Sequence, residues 1–93
     1  MADLKKLRQE LDKQNAGIVS KIAKRMEIVK EVAEYKKQNN IPIVDAKREE
    51  EVIKHFEDAF EKIGFSRKVG KIIGRALIDA AIEEEKRFYA IAR

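Results

Sequence analysis

The chain has no cysteine, so disulfides and thiolate metal sites are excluded, and its single histidine, His55, excludes a histidine-rich metal centre. No apolar run approaches ~20 residues and no secretory signal opens the chain, so we expect a protein retained in the cytoplasm without a membrane span. No stretch alternates apolar and polar residues as a strand does, and no repeat of ~20 to 50 residues recurs. Chemical motifs are equally scarce: there is no glycine-rich phosphate loop, no nucleophile elbow and no His/Cys or Ser/His pair. His55 stands next to Phe56 and reads as a surface or structural residue. An enzyme built on such a sequence works by positioning and electrostatics, not by covalent chemistry.

What is present is charge laid over helical periodicity. Ninety-three residues make one small domain, 1–93, with a modest core. A formal net charge of +4 suits nucleic acid or an acidic small molecule, but the cations are interleaved with acids and not massed in a block, which weakens the nucleic-acid case. The fold expected is all-α with three helices, at about 4–38, 46–63 and 66–92.

The first helix carries the argument. Asp3 is placed to cap it, and Leu4, Leu7, Leu11, Ile18, Ile22, Val29 and Val32 fall in one stripe about 80° wide. Gly17 costs about 1 kcal/mol relative to Ala, which a long helix absorbs. Nothing else breaks the run before Gln38-Asn39-Asn40 and Pro42. Such a helix is ~50 Å long, whereas a domain of this size has a radius of gyration of about 13 Å. Its leucines therefore project, and a second copy is the physical remedy: an intertwined homodimer with the long helices side by side.

Arg25 and Lys36 lie inside the apolar stripe. The bland account is that both snorkel to water or pair with some of the 17 acidic residues. Two cations three turns apart on one face instead form a line of positive charge ~16 Å long beside hydrophobic walls, a pocket for a small anion.

Beyond the loop 39–44, Asp45 caps a second helix with Val52, Phe56, Ala59, Phe60 and Ile63 at helical spacing, and Gly64 stops it. Ser66 caps the third, whose main face carries Val69, Ile73, Ala76, Leu77, Ala80 and Phe88. Gly70 and Gly74 either admit a close-packed neighbour or soften the helix start.

Taken together, these residues resemble the all-α chorismate mutases in their stand-alone form. The resemblance is carried by Arg8, the pair Arg25 and Lys36, the loop Ile41-Pro42-Ile43, and Asp45-Ala46-Lys47-Arg48-Glu49, similar to that family's Asp-x-x-Arg-Glu motif. It implies conversion of chorismate to prephenate in phenylalanine and tyrosine biosynthesis, an intramolecular Claisen-type rearrangement with no cofactor and no covalent intermediate. It also implies roles. Arg8 and Arg25 clamp the two carboxylates, Lys36 reaches the ether oxygen and a carboxylate, and Arg48 supports that charge network. Asp45 and Glu49 hold the hydroxyl end, and Val32, Ile78 and Ile82 form apolar walls. Glu85 takes the place of a glutamine in many members and must carry a proton to donate to the ether oxygen, while Ala81 stands where some members touch substrate with a hydroxyl.

Simple periodicity points to Glu84 over Glu85, so Glu85 rests on the resemblance. Arg8 and Arg25 are separated by ~26 Å of rise and about 100° of rotation on a straight helix, too far to grip one small molecule from the same chain, so Arg8 must come from the partner subunit. Three alternatives remain in view: a lyase on the same fold that removes pyruvate from isochorismate, a non-catalytic helical dimerisation module, and a basic nucleic-acid-binding bundle.

Overall fold

The computed structural model describes residues 3–91, the side chain of residue 91 excepted, and all its regular structure is helical. Helix α1 spans Leu4–Gln38, α2 Ala46–Lys62 and α3 Arg67–Ile91. Each start is capped by the side chain expected. Asp3 Oδ1 accepts from the Lys5 amide at 2.7 Å, Asp45 Oδ1 from the Arg48 amide at 3.1 Å, and Ser66 Oγ from the Val69 amide at 3.3 Å. The stops are equally local. The Ile41 amide turns back to the Lys36 carbonyl at 2.8 Å, Asn40 takes a left-handed φ of 54°, and Pro42 follows; Gly64 (φ 92°) ends the second helix.

Two boundaries differ by one residue from the sequence expectation. Ile63 is the C-cap of α2 and not its last helical residue, and Ser66 stays outside α3 because its side chain is spent on capping. The expected end of the third helix at 92 lies outside the described residues.

Helix α3 is the middle layer, packing on α2 along one side and on α1 along another, with no direct packing of α1 on α2. The close approach to α2 rests on the two glycines. A Cβ at Gly70 would overlap the Phe56 backbone carbonyl, and one at Gly74 would meet Ile53 Cα and the Phe56 ring at 3.4 Å. Arg67 fastens the turn between these helices, its Nη1 2.7 Å from Asp58 Oδ1.

The glycines also correct the expected orientation of α3. Its buried line is Gly70, Gly74, Ile78 and Glu85, whereas Val69, Ile73 and Ala76 of the expected main face remain exposed. Apolar content alone favoured the other stripe, but backbone contact at the glycines decides which side α2 can reach.

The core is thin. Val29, Ala33, Val52 and Ile78 are its buried apolar residues, and no large side chain among the described residues is fully sealed. The amino-terminal half of α1 is bare: Leu4, Leu7, Leu11 and Ile18 are exposed, Leu11 by 61 %. The molecule is accordingly elongated, 57 × 26 × 14 Å with a radius of gyration of 16.5 Å. None of the described helices is long and apolar enough to cross a membrane.

Candidate active site

Three of the four buried apolar residues, Val29, Val52 and Ile78, also line a cavity of about 290 Å³ where the carboxy-terminal half of α1, the start of α2 and the second half of α3 converge. The core of the chain is therefore the floor of its pocket. Helix α1 contributes Arg25, Val32 and Lys36, spaced so that both cations and the valine share one face. Helix α2 and its cap contribute Asp45, Arg48 and Glu49, and α3 contributes Ile78, Ala81, Ile82 and Glu85 at helical spacing. Every site residue expected from sequence is gathered here except Arg8, which is exposed on the bare half of α1.

Within the cavity the charges are not equivalent. Arg25 is half-buried, and its Nη1 is sealed from solvent with no hydrogen-bond partner among the described residues. A buried guanidinium nitrogen without an acceptor is costly, and an anion at this wall would relieve that cost. Lys36 Nζ donates to the Ile43 carbonyl at 2.8 Å and lies 2.9 Å from Glu85 Oε1. That second contact is a close ion pair without hydrogen-bond alignment, so Glu85 Oε1 is buried and has no hydrogen-bond partner. Glu85 is 4 % exposed, whereas Glu84 is only half-buried and pairs with Arg87 at 3.5 Å. The glycine line turns Glu85 into the cavity, which Glu84 does not line.

Arg48 sits at the rim, exposed, with Nη1 3.3 Å from Glu51 Oε2. Asp45 has one oxygen engaged as helix cap. Glu49 is held from across the fold by Arg75, whose Nη2 is 2.6 Å from Glu49 Oε1 and 3.1 Å from Asp79 Oδ1. The hydrogen bond to Glu49, with a further one to Asp79, holds the Arg75 guanidinium above its ordinary value. His55 is exposed on α2, away from the cavity. No group of acids and histidine among the described residues is arranged to hold a metal ion.

Four lining residues, Ile28, Val29, Ile43 and Val52, were not anticipated as walls. Val29 and Val52 read as core positions, which they also are. Ile28 lies off the apolar stripe, and Ile43 is brought in by the loop when Lys36 grips its carbonyl, a contact without a periodic signal.

An all-helical scaffold with a small cavity, apolar walls, an unpartnered buried guanidinium and a lysine beside a buried carboxyl group defines a class: proteins that take a small organic anion and act on it by position and charge. Comparison with known proteins narrows this, and the chain belongs to the family described as chorismate mutase type II, whose model matches residues 7–86. A curated protein named chorismate mutase from Methanocaldococcus jannaschii is 34% identical over 83 residues, covering 89% of this chain and 80% of that relative. No solved structure matches significantly. The protein is accordingly an isomerase that converts chorismate to prephenate.

Proposed function

We propose that this rearrangement takes place in the cavity between the three helices, in a homodimer whose active sites are shared between subunits. The observation that carries the assignment is the buried, unpartnered Arg25 Nη1 in the same cavity as Lys36 and Glu85. Arg25 binds one substrate carboxylate, and Lys36 meets the ether oxygen and the second carboxylate, with Arg48 closing the rim. Asp45 and Glu49 accept from the hydroxyl group. Val32, Ile78 and Ile82, with Ala81, shape the apolar walls that favour the folded conformer of the substrate. The carbon–oxygen bond of the ether breaks as the new carbon–carbon bond forms, and no atom enters or leaves. Holding the compact conformer removes entropy from the barrier, and Lys36 with a protonated Glu85 stabilises the charge that develops on the ether oxygen.

The charge balance supports the shared site. One chain supplies Arg25, Lys36 and Arg48 against Asp45 and Glu49, with the donor form of Glu85 uncharged, a net of one formal positive charge. A dianion needs more cation than that, and Arg8 of the same chain stands on the bare half of α1. In an antiparallel pair of long helices, the amino-terminal half of one covers the cavity of the other, burying the exposed leucines and delivering Arg8. We further place the reaction in the cytoplasm and in the making of phenylalanine and tyrosine, on the strength of the family.

The test is the loss of chorismate absorbance with purified protein, product identified, run beside Arg25→Ala. Prephenate formation that falls by at least about a hundredfold in a folded Arg25→Ala variant is expected. Full activity in that variant would remove Arg25 from the site, and pyruvate release from isochorismate without prephenate formation would replace the mutase by the lyase.

A further inference from the structure

Arg75 lies outside the cavity and outside every motif described above, yet it makes a short ion pair to a residue that lines the cavity. Its Nη2 stands 2.6 Å from Glu49 Oε1 across the gap between α3 and α2. Glu49 is largely buried, its side chain 19 % exposed, while Arg75 remains 43 % exposed. A second acid on the same helix, Asp79, accepts from Arg75 Nε at 3.2 Å and fixes the guanidinium from behind.

We propose that Arg75 is a positioning residue for substrate binding: it holds Glu49 in one orientation and offsets its charge, so that a carboxylate can sit in a cavity that takes a dianion. This rests on the reading of the cavity as the chorismate site. The physical need is plain. Glu49 is placed to accept from the substrate's hydroxyl group, but an unpaired carboxylate in a pocket of low dielectric repels a ligand that carries two more. Pairing with Arg75 engages Oε1 and leaves the second oxygen to accept from a hydroxyl. The guanidinium suits the task because it is planar and always charged, and because it spans Glu49 and Asp79 at once. Asp79 is exposed and does not line the cavity, so its part is to steady Arg75.

Acting through Glu49, Arg75 governs affinity more than the chemical step. In Arg75→Met, KM and the calorimetric Kd for chorismate rise about tenfold, with a much smaller change in kcat. Arg75→Lys restores part of the affinity, because it returns the charge without the planar fork. The deciding measurement is a double-mutant cycle: in a Glu49→Gln background there is no carboxylate to offset, and Arg75→Met then adds little to KM. Loss of helix packing alone would raise KM equally in both backgrounds and lower the urea midpoint in step, which overturns the proposal. So does an unchanged KM in Arg75→Met. Binding separates this inference from the reaction on which it rests. A wild-type protein that binds chorismate without converting it sinks the reaction and leaves the Kd cycle to decide on Arg75, whereas one that does not bind chorismate at all sinks both.

Discussion

Lys36 Nζ lies 2.9 Å from Glu85 Oε1, joining the last turns of α1 to the buried side of α3. The pair is the one place in the cavity where cation and acid are both largely sealed, at 17 % and 6 % side-chain exposure. A buried ion pair is weak evidence for stability, since desolvation offsets much of the attraction. It lines the same cavity as the unpartnered Arg25 nitrogen, which under the proposed function gives it a part in the chemistry.

Breaking the pair from one side leaves a buried acid without its partner. Lys36→Met is expected to destabilise the fold by about 3 kcal/mol and to abolish turnover, while Lys36→Met with Glu85→Leu recovers most of the stability and none of the activity. Urea unfolding at fixed protein concentration, beside the chorismate assay, checks both halves.

Glu85 must be protonated to donate to an ether oxygen, whereas the side chain of glutamine donates at every pH. Glu85→Gln is therefore expected to keep turnover, and Glu85→Ala, which has no donor, to lose about a hundredfold or more in kcat. Steady-state kinetics of the two variants check this, and equal losses in both would remove Glu85 from the ether oxygen.

The proposed sharing of active sites between subunits makes a prediction about mixtures. Arg8→Ala and Arg25→Ala homodimers are each expected to be nearly inactive. Unfolded together in equal amounts and refolded, they regain about a quarter of the wild-type activity, because half the dimers are mixed and each of those holds one intact site. No recovery, with mixed dimers demonstrated by mass, would return Arg8 to a surface role.

The glycine contact on which α3 is oriented has its own test. A Cβ at Gly70 would strike the Phe56 carbonyl, so Gly70→Ala is expected to cost about 2 kcal/mol or more and to weaken substrate binding by shifting Glu85 and Ile78. At Gly64 a Cβ meets open space and only the positive φ is at stake, giving a loss of about 1 kcal/mol and unchanged kinetics. Thermal unfolding of the two variants compares these costs directly.

The helices, their caps and the cations on the first helix were legible in the sequence because each depends on near neighbours. Asp3, Asp45 and Ser66 each cap a backbone amide two or three residues on, and Arg25 and Lys36 share a face by the pitch of a single helix. The motif from Arg8 to Glu49 carried the family resemblance for the same reason: its residues keep fixed spacings along one continuous stretch. Only the tertiary structure decided which stripe of α3 is buried, since that depends on a backbone contact between Gly70 and Phe56 and not on the hydrophobicity of either helix. That choice turns Glu85 inward and leaves Glu84 half-buried. Arg75 was invisible beforehand, because its partner Glu49 lies 26 positions away on another helix and no periodicity relates the two. Local order follows from the backbone and its nearest side chains, whereas pairing across the cavity follows from how three rigid helices come to rest against one another.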